Sequence, residues 1–472
     1  MRLNARALST ATRGLPVRIR SLLALAGAIG ASAVAAGAAS AAPDHILLSH
    51  RFAQPPTTAQ CETAIGIACY NPAQFQQAYN LNPLYHAGLD GAGKTIVIVD
   101  SFGSPTIQQD LATFDSDNGL PAPPSFKIIQ PAGQVPPYDP TDGTMGGWAI
   151  ETSLDVEYSH AIAPGANILL VETPVAETEG VTGLPQIVQA ENYVIGHHLG
   201  DVISQSFGAT EETFPNPRSL YALRGAYFNA LLHRVTVVGS SGDGGPTDQA
   251  SDGVDYYPFR VNSWPSSDPL VTSVGGLQLH LDANGNETAP DNVWNDTPLF
   301  GSPAAGGGGV SADFGRPFYQ DGVRAVVGDR RGTPDVSLSA AVDGGANVYM
   351  SFSSPPQTIT APGYYVIGGT SEASPEFAGV VAIADQAAHR DLGLLNPTLY
   401  ALGDRSRPGL VDVTAGNTTV SGNNTGGQFD GPFTVAGFSA VPGYDLATGL
   451  GAPDGVKLVS ELAGYRDGWS RR

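Results

Sequence analysis

The stretch GGTSEASP at residues 368–375 is the most informative part of this sequence, because it places a serine between a glycine turn and a helix start. Pro375 and the apolar residues that follow it are typical of the beginning of a helix. Ser371 would then lie near free backbone N–H groups and the positive end of the helix dipole, which suits a nucleophile. The alternative is an ordinary serine cap of the helix, so this stretch alone leaves the assignment open.

A nucleophilic serine needs a base to take its proton, and the stretch ETSLD at residues 151–155 offers one. Residues 148–160 have a helical pattern, which puts Glu151 and Asp155 four residues apart on one face. Two close carboxyls push each other's pKa values apart, so one can act as a base while the other holds a proton and orients it. The alternative is two exposed acids on a surface helix. Glu157 falls on another face and is expected to meet solvent.

A third acid, Asp243, lies in the glycine turn VGSSGDGG at residues 238–245. This turn follows a buried type of strand, and sites in open α/β sheets gather at the carboxyl ends of strands. A protonated acid there would donate a hydrogen bond to an oxyanion. The alternative is an aspartate that serves only the turn.

Short apolar runs rich in branched residues recur along the chain, with helical patterns between several of them. Runs of this kind suit buried parallel strands, and their alternation with helices predicts an α/β fold with a central parallel sheet. The four glycines at 306–309 are interpreted as a loop within one domain. The predicted strands cover residues 95–99, 168–171, 202–204, 235–238 and 270–274, and the predicted helices cover 184–198 and 218–233.

Composition excludes several classes of function. The 472 residues are 42% hydrophobic, which permits a large core, and 23 basic against 44 acidic residues give a formal charge of −21. Phosphate binding needs a basic surface, so nucleic acid is not expected as a partner. GLDGAGKT at residues 88–95 matches a phosphate-loop pattern, but it precedes a strand rather than a helix. We interpret it as a glycine turn.

The N-terminal region predicts export. A basic lead, an apolar stretch over about residues 22–34 and the small residues ASA at 39–41 are typical of a secretory signal peptide over residues 1–41. We therefore expect a secreted, extracellular protein with no membrane attachment after cleavage. The only two cysteines, Cys61 and Cys69, favour a local disulfide over two free thiols in an exported chain. They belong to a short N-terminal segment, residues 42–68, whose start is polar and irregular.

The order of these windows resembles the sedolisin family, the serine-carboxyl peptidases. The similarity runs from about Tyr70 through most of the chain and includes further windows at residues 264–276, 307–320 and 331–337. It implies a subtilisin-like three-layer fold, in which helices flank a central, mostly parallel sheet. The catalytic domain would cover residues 69–465 and be followed by a polar tail at 466–472. Phe207 stands where the family frequently has a tryptophan.

The resemblance also implies an acid-active peptidase that cleaves a peptide or protein substrate through an acyl-enzyme. Ser371 would be the nucleophile and Glu151 the general base. Asp155 would orient Glu151, Asp243 would stabilise the oxyanion, and Asp100 would belong to the same hydrogen-bond network. We expect the enzyme to be a monomer.

A calcium ion near the C-terminus is a further implication of the resemblance. The stretches DVT at 412–414 and VPGYD at 441–445 match the two ligand segments of the family. Oxygen-only ligation suits Ca²⁺. The ligands would be the carboxylates of Asp412 and Asp445 and the backbone carbonyls of Val413, Val441 and Gly443.

The sequence differs from the resembled family in one respect, and two alternative functions remain open. The family usually carries a long propeptide, whereas only residues 42–68 separate the predicted signal from the catalytic-type sequence. A histidine-dependent subtilisin would use Asp100, a histidine and Ser371, but the His-Gly-Thr-His segment of such enzymes is missing. A secreted binding protein on an inactive protease scaffold is disfavoured because all four chemical residues are present.

Overall fold

The computed structural model of the protein describes residues 45–357, 359–403 and 409–464. The predicted signal peptide at 1–41 and the polar tail at 466–472 lie outside the described residues. Within the described ranges, no helix is long and apolar enough to cross a membrane.

Twenty strands and thirteen helices are present in the described residues. The strands are β1 (Ile46–Phe52), β2 (Cys69–Tyr70), β3 (Thr95–Ser101), β4 (Phe126–Ile129), β5 (Asn167–Thr173), β6 (Val202–Gln205), β7 (Ala209–Thr210), β8 (Thr236–Ser240), β9 (Ser263–Trp264), β10 (Thr272–Gln278), β11 (Asn292–Val293), β12 (Gly309–Gly315), β13 (Arg330–Thr333), β14 (Val336–Ser339), β15 (Gly345–Met350), β16 (Gly363–Gly368), β17 (Leu410–Val411), β18 (Val420–Asn424), β19 (Gly431–Val435) and β20 (Ala452–Pro453). The helices are α1 (Thr58–Ile65), α2 (Pro72–Ala78), α3 (Asn82–His86), α4 (Ile107–Asn118), α5 (Gly143–Ile162), α6 (Leu184–Gly196), α7 (Pro217–Leu223), α8 (Gly225–His233), α9 (Thr297–Phe300), α10 (Arg324–Val327), α11 (Thr370–Ala388), α12 (Asn396–Gly403) and α13 (Gly455–Gly464).

The central sheet has eight strands in the order β11-β10-β8-β6-β3-β5-β4, with β14 also paired to β10. Only the β10–β11 pair is antiparallel in this sheet. All five predicted strands belong to it, so the predicted mostly parallel α/β sheet is confirmed. Parallel order requires crossover helices on the faces, which explains why these strands are apolar on both sides.

Strand β3 illustrates the three layers. Ile96 and Ile98 point into the core formed with α5 and α11, whereas Val97 and Val99 point into the core formed with α6 and α8. The alternation follows from the two-residue period of a strand. Helices on both faces of the sheet confirm the subtilisin-like three-layer architecture.

Helices α5 and α11 lie close together, and this contact sets the geometry of the site. Residues 145–162 of α5 and 370–385 of α11 are buried on every side. A Cβ at Gly379 would lie 2.7 Å from Ile162 Cγ2, so a larger residue there would push the helices apart.

The N-terminal segment is more ordered than its sequence predicted. Over its described part, the irregular lead contains the strand β1 and the helix α1, which begins at a Thr57 capping box. The Cys61–Cys69 disulfide is present, as expected. Strand β1 is the edge of a four-stranded sheet with the order β1-β16-β15-β2, and it pairs antiparallel with β16. This long-range pairing is what organises the segment.

The helix predicted over 218–233 is instead two helices, α7 and α8, which meet at Arg224 and Gly225. Glycine has low helix propensity, and the Arg224 guanidinium is bound to Asp268 through Nε and Nη2. The glycines at 306–309 form a loop in the same unit, as expected, and β12 begins at the last of them. A Cβ at Gly307 would lie 2.1 Å from the Ser241 carbonyl, so this loop packs directly on the turn before Asp243.

Candidate active site

Ser371 lies in the first turn of α11, and the serine-cap alternative is wrong. The helix begins at Thr370, its N-cap is Gly369, and Gly369 adopts a φ of 141° that other residues rarely take. The helix therefore starts five residues before Pro375, earlier than the sequence indicated. Ser371 itself is 1% exposed.

Pro375 shapes the backbone beneath Ser371. A proline has no N–H, so the Ser371 carbonyl has no helical N–H partner four residues ahead. The Ser206 hydroxyl lies 3.4 Å from that carbonyl oxygen and 2.9 Å from Asp155 Oδ1. Ser206 thus connects the nucleophile's backbone with one of the two acids of α5.

Glu151 and Asp155 are both fully buried, so the alternative of exposed surface acids is wrong. They lie on the helix that packs against α11, where the sequence placed them together. Asp155 Oδ2 and Glu151 Oε1 have no hydrogen-bond partner among the described residues. Both carboxyl groups therefore keep one oxygen available inside the site.

Glu157 does not face solvent, contrary to the sequence expectation. Helix α4 and strand β15 cover this side of α5, and Glu157 is fully buried. Its Oε2 accepts a hydrogen bond of 3.0 Å from the Tyr349 backbone N–H. Burial raises the pKa of Glu157 well above its usual value. The helical spacing predicts that Glu157 lies on a different face from Glu151 and Asp155, but it cannot show which elements cover that face.

Asp243 follows β8 in the glycine turn and is bound to the start of α11. Its Oδ1 accepts hydrogen bonds of 2.7 Å from both the backbone N–H and the hydroxyl of Thr370. The Gly242 N–H in turn donates to the Thr370 hydroxyl at 3.1 Å. Asp243 Oδ2 is buried and has no partner among the described residues. The aspartate is therefore more than a turn residue.

Three neighbouring strands of the central sheet contribute to the site at their carboxyl ends. Asp100 lies near the end of β3, Ser206 directly follows β6, and Asp243 comes three residues after β8. The strands are adjacent in the order β8-β6-β3. This is the edge where open α/β sheets build their sites.

The acids of this site are electrostatically coupled. Burial raises the pKa of Asp100, Asp155 and Asp243 well above the usual value of an aspartate, and the charge of Glu151 adds to each shift. The two hydrogen bonds from Thr370 oppose the shift at Asp243. A group of acids so arranged keeps protons at pH values where exposed carboxyls are ionised.

A small cleft opens beside Ser371. Phe207, which replaces the tryptophan frequent in the resembled family, belongs to its wall. The carboxylate of Asp248 in this wall accepts a 2.7 Å hydrogen bond from the Ser263 hydroxyl. The cleft has a volume of about 10 Å³, which is room for a water-sized group, so it would have to widen to take a substrate side chain. Its lining residues are Ser206, Phe207, Gly208, Ser240, Gly242, Asp248, Ser263 and Ser371.

His45 is a site residue that the sequence did not reveal. Its Nδ1 lies 2.8 Å from Glu151 Oε2, and its side chain is 7% exposed. The pairing of β1 with β16 brings His45 there from a distant part of the chain. No local pattern marks such a residue, because the contact depends on a sheet pairing across more than three hundred positions.

The other histidine considered from the sequence lies elsewhere. His160 is buried near the end of α5, with Nε2 2.8 Å from the Pro121 carbonyl and 3.3 Å from Asp115 Oδ1. Burial lowers the pKa of His160 to about 4. The histidine at the site is therefore His45, and it contacts Glu151.

The five expected calcium ligands lie on two segments that meet. The Gly443 N–H donates to Asp412 Oδ2 at 2.9 Å, and the Val441 N–H donates to Asp445 Oδ2 at 2.8 Å. Val413 adjoins Asp412 in the chain. The two segments are therefore in contact, and they carry the oxygen ligands that Ca²⁺ prefers, although both carboxylate oxygens of Asp445 already accept backbone N–H bonds. Among the described residues, no group of three or more His, Cys, Asp or Glu side chains is arranged to hold a metal.

Comparison with known proteins adds independent information. A sequence model described as the subtilase family matches residues 143–400. Kumamolisin from Bacillus sp. (strain MN-32) is 32% identical over 402 residues, which cover 83% of this chain and 63% of kumamolisin. Sedolisin from Pseudomonas sp. (strain 101) is 32% identical over 399 residues, covering 83% of this chain and 61% of sedolisin. The chain thus spans about three fifths of the length of these relatives.

A solved structure and a further sequence relative also belong to peptidases. Pseudomonas sedolisin, described as a serine-carboxyl proteinase and solved with two molecules of pseudo-iodotyrostatin, aligns with a TM-score of 0.66 and 28% identity. The alignment covers 84% of this chain and 98% of that chain. Tripeptidyl-peptidase 1 from Bos taurus is 28% identical over 335 residues, covering 67% of this chain and 52% of that protein.

Proposed function

Since this chain belongs to the subtilase family, among its sedolisin-type serine peptidases, we propose that it is a secreted, acid-active peptidase that cleaves peptide bonds through an acyl-enzyme on Ser371. The observation that carries this proposal is the buried group of coupled carboxyls around the start of α11. Burying several carboxyls costs free energy, and acids whose pKa values are shifted by burial and by each other are frequent at functional sites. Its substrates are peptides or proteins, and it acts as a monomer.

Glu151 is proposed as the general base. Its carboxylate lies on the helix that packs against α11, and Oε1 is free of hydrogen-bond partners among the described residues. This oxygen takes the proton from the Ser371 hydroxyl as the hydroxyl attacks the substrate carbonyl. The same carboxyl then returns the proton to the leaving amine, and water releases the acyl group by the reverse use of the base.

Asp155 is proposed to hold a proton and orient Glu151. Because burial raises its pKa, Asp155 remains protonated in acid. Its Oδ1 accepts the hydrogen bond of the Ser206 hydroxyl, which also lies 3.4 Å from the Ser371 carbonyl that Pro375 leaves without a helical donor. The proton therefore belongs on Oδ2, from which it can be donated to Glu151. Asp100 is buried near them, but its carboxyl oxygens have no hydrogen-bond partner among the described residues, so its link to Glu151 is electrostatic.

Asp243 is proposed as the oxyanion stabiliser. Oδ1 accepts two hydrogen bonds from Thr370, so a proton on this carboxyl belongs on Oδ2. Oδ2 then donates to the oxygen that becomes negative in the tetrahedral intermediate. The raised pKa of Asp243 keeps that proton in place under acid conditions. The rate should therefore fall as the pH rises through this pKa.

Calcium is proposed as a structural ion with no step in the reaction. Asp412 and Asp445 would supply carboxylate oxygens, and Val413, Val441 and Gly443 would supply carbonyl oxygens. A ligand that binds only the folded chain stabilises it, by about 2.7 kcal/mol at a concentration of one hundred times Kd. Chelation should lower the melting temperature, and an Asp412→Asn variant should lose that response. An unchanged melting temperature on chelation would exclude the site.

Of the two alternatives, neither has comparable support. A histidine triad would need a histidine as the base of Ser371, whereas His45 is bound to Glu151. An inactive binding protein would not need three buried acids with raised pKa values around a nucleophile-type serine.

The test is hydrolysis of a mixed peptide library from about pH 3 to about pH 8, with Ser371→Ala beside the wild type. Removing a catalytic serine should reduce cleavage by a factor of roughly 10³ or more. Ser374→Ala is the matched control, because Ser374 is buried on the same helix and bonds Ser204. Acid-peaked cleavage that is lost only in Ser371→Ala is the expected result. Cleavage that peaks near neutral pH would favour a histidine triad, and cleavage independent of Ser371 would overturn the proposal.

A further inference from the structure

The side chain of His45 contacts the proposed general base directly. Its Nδ1 lies 2.8 Å from Glu151 Oε2, and the two side chains are 7% and 0% exposed. A protonated imidazole carries a hydrogen on both ring nitrogens, so in acid Nδ1 donates to the carboxylate whichever tautomer the neutral ring adopts. The contact in acid is then a buried hydrogen bond between two opposite charges.

The other acids of the site lack such a partner. In the part of the chain that the structure describes, no ion pair joins Asp100, Asp155 or Asp243 to a basic side chain. Burial raises the pKa of all three, and the charge of Glu151 adds to each shift, as does that of Glu172 at Asp100. A buried carboxyl without an opposite charge takes up a proton rather than staying ionised. Glu151 alone in this group has a cation beside it.

The remaining acids on the elements around Glu151 interact with each other. Asp110 and Asp115, from α4, raise the pKa of Glu157 on another face of α5. On α11, the neighbouring charge that most raises the pKa of Glu372 is that of Glu376. Neither group supplies a counter-charge to the proposed base.

Apart from the exposed His50, the ionisable side chains of β1 and β16 bond to groups outside the site. The pairs are Tyr364 with Asp117, Tyr365 with the Ala361 carbonyl, and Arg51 with the Pro362 carbonyl. Among the described residues, His45 is therefore the basic side chain that is paired with Glu151.

The pairing of β1 with β16 fixes the position of His45. Ile46, the residue after His45, is paired with Gly368 at the end of β16. The chain continues from there through Gly369 into Ser371 at the start of α11. His45 therefore reaches the base from a strand that is bonded to the one leading into the helix of the nucleophile.

We propose that His45 is a positioning residue of the reaction: its imidazolium keeps Glu151 in the carboxylate form in acid and occupies Oε2, leaving Oε1 for the proton of Ser371. This inference rests on the proposed function, because it takes Glu151 as the base of Ser371. Oε1 has no partner among the described residues. Each carboxylate oxygen has two lone pairs, so His45 does not exclude the hydrogen bond proposed from Asp155.

The proposal answers a requirement of acid catalysis. A base must be ionised to take a proton, whereas Asp243 must be protonated to donate to the oxyanion. Histidine side chains gain a positive charge below about pH 6.5, which is the range in which the proposed reaction runs. A cation placed on Glu151 and not on Asp243 lets both conditions hold at the same pH.

The test is the pH profile of kcat/KM for one peptide that the full-length wild type cleaves. His45→Gln keeps a hydrogen-bond donor but removes the charge, whereas His45→Lys keeps a positive charge. His50→Ala is the matched control, since His50 is an exposed histidine of β1. Folding of each variant is checked by its melting temperature, and His45→Arg replaces His45→Lys if the lysine variant does not fold.

The acid limb of the profile, where the rate rises with pH, is the decisive part. An opposite charge nearby changes the proton affinity of a carboxyl by about 1–3 pH units. In His45→Gln this limb should therefore move up by about one pH unit or more, so that kcat/KM on it falls about tenfold or more. The limb should stay near its wild-type position in His45→Lys, and the whole profile should be unchanged in His50→Ala.

Three results would overturn the inference. An acid limb that does not move in His45→Gln, or a faster reaction in that variant, would show that the base does not need the cation. A limb that moves equally in His45→Gln and in the folded cationic variant would show that charge is not the cause. An equal fall in rate at every pH in both variants would leave His45 with a packing role only.

Ser371→Ala separates this inference from the proposed function. Cleavage that depends on Ser371 but has an acid limb insensitive to His45 leaves the proposed function intact and removes only the role of His45. Cleavage by the wild type that does not depend on Ser371 would overturn the nucleophile assignment and the role of His45 together.

Discussion

Two pairs of acids in this protein have the same spacing and burial but different surroundings. Glu151 and Asp155 lie four residues apart on α5, and Glu372 and Glu376 lie four residues apart on α11. All four side chains are fully buried. The spacing alone would give both pairs the same interpretation.

Their partners differ. Glu376 Oε2 accepts a 2.8 Å hydrogen bond from the Tyr79 hydroxyl, and that hydroxyl accepts one from the Ser339 N–H, so the pair belongs to the core beneath α11. Glu151 instead contacts His45 and raises the pKa of Asp100, at the end of β3, and of Asp243, in the turn after β8. The contacts of a buried acid pair, more than its spacing, therefore distinguish a pair that can take part in catalysis from one that supports the fold.

The largest expected effect is on Glu151. Glu151→Gln keeps the shape of the side chain but removes the base, so the acid-peaked cleavage should fall by a factor of roughly 10³ or more. Glu376→Gln is the matched control on the other pair and should retain most activity at acid pH. Both variants should be folded, and activity is measured as kcat/KM. Equal losses in the two variants would contradict the prediction that only the Glu151–Asp155 pair takes part in catalysis.

A smaller loss is expected at Asp243, whose pKa is raised by burial and further by the charge of Glu151. Asp243→Asn should lower kcat by a factor of about 10²–10³ if one oxyanion donor is weakened. A carboxyl donates only below its pKa, whereas an amide donates at every pH. The variant should therefore lose the part of the alkaline fall in rate that comes from this group. An unchanged rate and an unchanged pH profile would contradict the role of Asp243.

The pair Glu372 and Glu376 should affect the pH dependence of protein stability rather than the rate of peptide cleavage. Burial, followed by the charge of Glu376, raises the pKa of Glu372, and burial raises the pKa of Glu376, both well above 4.5. Above about pH 4.5 the folded chain therefore binds more protons than the unfolded chain, so stability falls as the pH rises towards the folded pKa values. The melting temperature of Glu376→Gln should fall less steeply over this range than that of the wild type. A parallel fall would show that this pair does not titrate.

The fold was largely predictable from sequence. Each buried parallel strand, such as β3, carries its own signal in a run of branched apolar residues, because both faces are covered. Helix α5 was predictable from its pattern, although the burial of Glu157 was not. The irregular start assigned to the N-terminal segment failed because the apolar run of β1 is only three residues long, and the strand exists through its pairing with β16.

Residues of the candidate site were predictable only where neighbouring residues in the sequence reveal their turn or helix. Ser371, Glu151 and Asp243 stand in short windows whose turn or helix can be inferred from neighbouring residues. His45 and Ser206 carry no comparable signal, because each acquires its contact through tertiary structure. Closeness in sequence can also mislead. Glu372 is next to Ser371 in the chain, but the neighbouring charge that most raises its pKa is that of Glu376.

The smallest expected effect is on the Tyr79 hydroxyl, which donates a hydrogen bond to Glu376 of the Glu372–Glu376 pair. Tyr79→Phe removes the donor to Glu376 and the acceptor of the Ser339 N–H, while the ring stays packed. Leaving these buried groups without partners should cost about 1–3 kcal/mol in the free energy of unfolding, measured by urea denaturation. Cleavage of the peptide library in acid should keep its pH optimum, because Tyr79 contacts the structural pair. A shifted optimum without lost stability would mean that the two acid pairs titrate as one network, and the distinction drawn from their partners would fail.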